Sequence, residues 1–192
     1  MNRRAYLAAL GGTALAASAG CSAPGGRRTL SDPTVSTDSP GRKTASFALA
    51  DRTLGEFSAD GAVDGDLLRL TLTLRPGDGA RTDSFAFRLW MPDAADVPAE
   101  IALVSPVQGD ASPPPSVTLA TADDGPGQVV RVTDLDDLSP NTVRVPFLVR
   151  PRSGTPTTVA VRGRLRVTDT GALATRYALH GGFRLRYPAL GQ

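Results

Sequence analysis

The chain has 192 residues, of which 41% are hydrophobic, 21% charged and 5% aromatic, with a formal net charge of +2. One cysteine and one histidine exclude a blue-copper site, which needs two histidines and a thiolate, and the usual zinc sites. They also exclude an intrachain disulfide, so the folded part must stand on its hydrophobic core alone.

Arg3 and Arg4 give the chain a positive start, and Ala5 to Gly20 carries no charge. Those sixteen residues are too few, and too rich in Ala and Gly, for a spanning helix, which needs about 20 apolar residues. A positive start, a short apolar run and the small residues Ser18-Ala19-Gly20 before Cys21 make a signal peptide over residues 1–21.

The segment Arg3-Arg4-Ala5-Tyr6-Leu7 resembles a twin-arginine export signal. Ser18-Ala19-Gly20-Cys21 resembles a lipobox, with Ser18 where a large aliphatic residue is usual. With a Thr- and Asp-rich body and 20 arginines against Lys43 alone, the chain is similar to twin-arginine-exported lipoproteins of halophilic archaea. The resemblance implies an uncharacterised β-sandwich domain, export, and a lipid on Cys21 that holds the protein to the outer side of the cell membrane. A lipidated Cys21 leaves no thiol for nucleophilic or metal chemistry.

Residues 22–44 are Gly, Pro, Ser and Thr with scattered charges and no apolar period, so they are expected to form a flexible linker. Arg27, Arg28, Arg42 and Lys43 lie in it, within reach of anionic head groups. The folded domain is expected over 45–188, with a tail at 189–192.

From residue 45 the apolar period is two, the signature of strands with one buried face. Leu68, Leu70, Leu72 and Leu74 alternate with polar residues, then Pro76-Gly77-Asp78-Gly79 makes a turn. Phe85, Phe87, Leu89 and Met91 alternate with Ser84, Ala86, Arg88 and Trp90. Val130 and Val132 flank Arg131, and Val143, Val145, Phe147 and Val149 form a further inward set. Val159, Val161, Leu165 and Val167 follow, then Phe183, Leu185 and Tyr187. Ala45–Ala50, Glu100–Val104 and Ser116–Thr121 are shorter candidates. No window suits a helix. The sum is eight or nine strands in an all-β, immunoglobulin-like Greek-key sandwich, with an open barrel as the alternative. Pro146 marks an edge or bulged strand. Ser105 to Pro115 reads as a long stiff loop. Trp90 either plugs one end of the core or sits on the surface as a contact, and the usual burial of aromatics favours the core.

Charge divides along this domain. Residues 51–138 hold six arginines and sixteen acids, whereas 139–192 hold nine arginines and Asp169 alone. In the last two strands the inward residues are odd-numbered. Arg162, Arg164, Arg166, Arg176, Arg184 and Arg186 are even, with His180 among them, so one sheet face is expected to be rich in arginine. Guanidinium forks suit carboxylates and phosphates. Such a face docks lipid head groups, an acidic polymer or an acidic surface protein; alternatively the acid-rich segment covers it, or it is an ordinary solvated face. Nucleic acid is not expected, since few aromatics punctuate the arginines.

Catalytic constellations are scarce. A Ser-His-Asp triad would have to use His180, no Gly-x-Ser-x-Gly elbow is present, and Gly181-Gly182 after the histidine suggest a loop. Asp60, Asp64 and Asp66 in a Gly-containing turn are candidate calcium ligands, with Asp123-Asp124 and Asp134, Asp136 and Asp137 as further acidic turns. None has the closing glutamate of a calcium loop, and turns favour Asp for backbone reasons. No cofactor is implied. The sequence thus reads as a lipid-anchored binding or structural module without catalytic activity. An accessory subunit of a transporter or surface complex, and a hydrolase built on the Asp clusters, are the alternatives.

Overall fold

The computed structural model describes residues 26–94, 99–104, 108–109, 115–135, 142–152, 157–171 and 174–190. Arg3, Arg4 and Cys21, with the whole expected signal peptide, lie outside the described residues, as do Asp136, Asp137 and most of the Ser105–Pro115 loop. Thirteen strands run through the described residues: β1 (Arg27–Leu30), β2 (Thr34–Ser39), β3 (Arg42–Leu49), β4 (Arg52–Asp64), β5 (Leu67–Pro76), β6 (Ala80–Trp90) and β7 (Glu100–Leu103), then β8 (Gln108–Gly109), β9 (Ser116–Thr121), β10 (Gln128–Thr133), β11 (Val143–Arg150), β12 (Thr158–Asp169) and β13 (Arg176–Arg186). They form two packed sheets, the expected β-sandwich. Sheet A runs β1-β13-β12-β6-β10-β9 and sheet B runs β2-β3-β4-β5-β11-β7, with β8 also on β11. Only β1 and β13 pair in parallel among these neighbours.

The alternation puts Leu68, Leu70, Leu72 and Leu74 of β5 and the Val/Phe set of β11 against Phe85, Phe87 and Leu89 of β6 and Val159, Val161, Leu165 and Val167 of β12. Phe57 of β4 is the hub. Its ring lies 6.2 Å from Phe47, 6.2 Å from Phe85 and 5.4 Å from Phe183, so it joins the sheets across the core. Gly163 of β12 makes room for it, since a Cβ there would meet the Phe57 ring at 2.6 Å.

Beyond the strand number, which rises from the expected eight or nine to thirteen because short strands without an apolar period also pair, three expectations change. The first concerns the linker: residues 27–43 carry β1, β2 and the start of β3. These strands were invisible to periodicity because β2 has no buried face and β1 is held by pairing with β13, far away in sequence. The second is Pro146, which occupies neither an edge nor a bulge. Strand β11 is paired on both sides, to β5 and to β7 and β8. The Pro146 carbonyl accepts from the Val104 N–H at 2.9 Å. In such an antiparallel pair each residue would also donate back, so the donor that proline lacks lies opposite Val104, just past the end of β7. The third is Trp90, which is half-exposed on the outer face of sheet A, as the inward parity of Phe85, Phe87 and Leu89 requires.

The corner Pro76–Gly79 carries the chain from sheet B to sheet A, with the Gly77 N–H on the Leu54 carbonyl at 3.1 Å. Arg52 clasps it to the β12–β13 turn. Its Nη1 meets Asp169 at 3.1 Å and its Nη2 donates to the Gly79 carbonyl at 3.2 Å. The Arg52 hydrogen bond, then the Gly171 N–H, holds the Asp169 carboxyl below its ordinary pKa.

Candidate functional site

The β12–β13 hairpin forms as the alternation requires, and it carries the arginines on one side. Val159, Val161, Leu165 and Val167 go inward with Tyr177, Leu179, Phe183 and Leu185. Arg162, Arg164, Arg166, Arg176, Arg184 and Arg186 are all exposed on the outer face of sheet A. Gly181 and Gly182 continue β13 rather than opening a loop.

The register keeps these charges apart. Arg162 faces Gly182, Arg164 faces His180 and Arg166 faces Ala178; Arg176 faces Thr168, Arg184 faces Ala160 and Arg186 faces Thr158. No arginine of one strand opposes an arginine of the other, which avoids the cost of like charges directly across a ladder. On the other side of β12, Arg164 faces Ala86 and Arg166 faces Ser84. Strand β10 adds Arg131 beside Ala86, and β1 adds Arg27 beside Arg176.

Besides Arg27 and Arg176, one further pair of like charges is in register: Arg162 and Arg88 lie directly opposite on β12 and β6. Two features offset their repulsion. Arg88 is spoken for by the 122–127 loop, with Nη1 on Asp124 at 3.0 Å and Nε on the Pro126 carbonyl at 2.8 Å. Trp90 lies beside both cations, 5.4 Å from the Arg88 guanidinium carbon and 6.0 Å from that of Arg162. The indole is therefore a pivot that holds two guanidinium groups by cation–π attraction. Periodicity could have given Trp90 its side, but not these partners, which depend on the cross-strand register.

Small residues sink the middle of this face. Ala86, Ala160 and Gly182 floor a shallow concavity of about 790 Å³, with Arg162, Arg164 and Arg184 around them and Asp123 and Asp124 on one rim. At Gly182 a Cβ would meet the Val161 carbonyl at 2.5 Å, so β12 and β13 approach more closely there than a side chain allows. His180 opens into the same space. Partial burial, then the positive charge of Arg164, lowers its pKa and favours the neutral ring.

The acid-rich segment does not cover this surface among the described residues. Asp124 reaches Arg88 only. None of the six arginines of β12 and β13 has a carboxylate partner among the described residues. The strands of sheet A carry eleven arginines and two aspartates, a net +9; those of sheet B carry seven basic and five acidic residues, a net +2.

The acidic turns come out differently from the calcium expectation. Asp64 is gripped by Arg69 at 3.0 Å and Asp66 by Arg150 at 3.1 Å, while Asp60 stands apart on β4. Among the described residues no three His, Cys, Asp or Glu side chains come together as metal ligands. Local arginines take Asp64, Asp66 and Asp124.

A family model described as a domain of unknown function, DUF8121, matches residues 27–189. The chain belongs to that family, and the match begins at the first residue of β1. No curated protein matches the chain. Solved structures similar to it include the collagen-binding domain of a Staphylococcus aureus adhesin, at 8% identity and a TM-score of 0.39, covering 67% of this chain and 95% of that one. A non-cellulosomal cohesin from Archaeoglobus fulgidus has 13% identity and a TM-score of 0.36, covering 64% and 82%. The human F-spondin reeler domain has 12% identity and a TM-score of 0.36, covering 86% and 95%.

Proposed function

We propose that this chain is a lipid-anchored cell-surface binding module that docks an anionic partner through the outer face of sheet A. The observation that carries this reading is the set of exposed arginines on β12 and β13 without carboxylate partners among the described residues, although the same chain pairs most of its other arginines. Unpaired guanidinium forks around a shallow hollow recognise carboxylates, phosphates or sulfates. The chemistry is recognition rather than catalysis. His180 faces Arg164, and no carboxylate orients it among the described residues. The anchor rests on the signal-like residues 1–21, with Cys21 as acceptor, and it raises the effective concentration of the domain toward partners at the surface.

Two variants test the two parts of this reading. Cys21→Ser, washed in molar salt to remove charge contacts, should leave the membrane fraction; retention there contradicts lipidation as the anchor. Arg164→Glu with Arg184→Glu should lose retention on an immobilised polyanion while keeping the wild-type melting temperature. Unchanged retention contradicts docking through this face.

A further inference from the structure

We infer that the anionic partner of the arginine face is the lipid surface to which the chain is tethered, so that the domain lies with sheet A against its own membrane. This deepens the proposed function and rests on it, both for the anionic docking and for the lipid on Cys21.

The place of the tether is the first argument. Strand β1 begins at Arg27, whose register partner is Arg176 on the arginine face. Five residues, Ser22 to Gly26, separate Cys21 from Arg27. Five residues span at most about 18 Å when fully extended. The anchor thus joins the edge of the basic sheet itself and keeps that sheet within reach of the head groups. A partner free in solution would give no reason for such an attachment.

Charge is the second argument. The layer joined to the tether has strands of net +9, and the layer behind it has strands of net +2 with its arginines largely paired. An anionic bilayer attracts basic residues close to its surface, within a Debye length. Only contact through sheet A brings all the unpaired arginines of β12 and β13 into that range.

Trp90 is the third. The only tryptophan of the chain stands half-exposed on this face, beside Arg88 and Arg162. Tryptophan is enriched at membrane–water interfaces, where its ring is apolar and its N–H is wet.

The same indole supplies the test. The chain from residue 21 onward contains all thirteen strands and the whole family match. With Cys21→Ser, it is titrated with vesicles of phosphatidylglycerol, with vesicles of phosphatidylcholine, and with polyglutamate in solution. Phosphatidylglycerol vesicles should sediment the protein and blue-shift Trp90 emission, and salt should reverse both. Phosphatidylcholine should do neither. Arg164→Glu with Arg184→Glu should weaken the vesicle binding about tenfold or more. Binding to polyglutamate but not to vesicles overturns the lipid assignment and leaves the docking face standing. Binding to neither overturns both. Vesicle binding that survives the double reversal, or that leaves Trp90 emission unchanged, places the contact elsewhere and overturns the inference.

Discussion

The outer faces of the two sheets are built from the same residue type and do opposite things with it. On sheet B each exposed arginine tends to meet an acid: Arg42 with Asp38, Arg69 with Asp64, Arg75 with Glu56 and Arg150 with Asp66, with Arg152 just past β11 on Glu100. Arg144 and Lys43 have no such partner among the described residues. On sheet A the acids lie at the ends, at Asp83, Asp169 and the 123–124 turn, and the centre is cationic. Arginine content alone therefore says nothing about binding. What distinguishes the faces is whether the opposite and adjacent positions hold carboxylates or small neutral residues.

Both faces depend on one core, so the largest effect comes from breaking it. Phe57→Ala should cost about 3–5 kcal/mol of unfolding free energy, because it removes the ring that touches both sheets. Gly163→Ala should cost about 1–3 kcal/mol by pressing a methyl group on that ring. Urea denaturation measures both, and a negligible loss in either case would mean that the faces are not fixed back to back as described.

Swapping charge on each face sharpens the contrast. Arg69→Glu with Arg75→Glu breaks two exposed ion pairs and should lower stability by about 1 kcal/mol or less while leaving polyanion binding intact. Arg162→Gln should leave stability unchanged or slightly raised, since it removes the like charge opposite Arg88. Thermal unfolding of the two variants side by side is the check.

Arg52→Ala cuts the clasp between the inter-sheet corner and the β12–β13 turn, and should cost about 1 kcal/mol near neutral pH. The Asp169 pKa is depressed in the folded protein. Its contribution is thus present above the unfolded carboxyl pKa, near 4, and is lost as pH falls through the folded value. The stability gap between wild type and variant should close in acid, as denaturation at a series of pH values would show.

The smallest effect belongs to His180. Its folded pKa lies below the unfolded one, so its share of stability is lost as pH falls from about 6.5 toward the folded value. An anion held by Arg162, Arg164 and Arg184 favours the imidazolium, so binding should tighten as pH falls through the same window. His180→Asn should remove that pH dependence without removing the binding.

The sandwich and the arginine parity were legible in the sequence because both follow from a period of two with one face buried. Leu68 to Leu74 and Arg162 to Arg166 are the two sides of that rule. Strands without a buried face were not legible: Thr34–Ser39 is exposed throughout and is held by its ladder to β3. Trp90 follows the parity of its strand and not the general tendency of aromatics to be buried. The hollow could not be read at all. Ala86, Ala160 and Gly182 become neighbours only through the registers of β12 with β6 and β13, which local pattern does not specify. The acidic turns misled for a similar reason, since Arg69 and Arg150 had first to be brought to Asp64 and Asp66.

The exposed arginines of β12 and β13 lack carboxylate partners among the described residues where those of sheet B are mostly paired, and arginine reactivity reads the difference. The folded chain is treated with phenylglyoxal at low ionic strength, and the modified positions are timed by mass spectrometry. Arg162, Arg164 and Arg184 should react faster than Arg69, Arg75 and Arg150. Equal rates, or slower reaction at the sheet A positions, would show that acidic groups cover that face and that it is not open for docking.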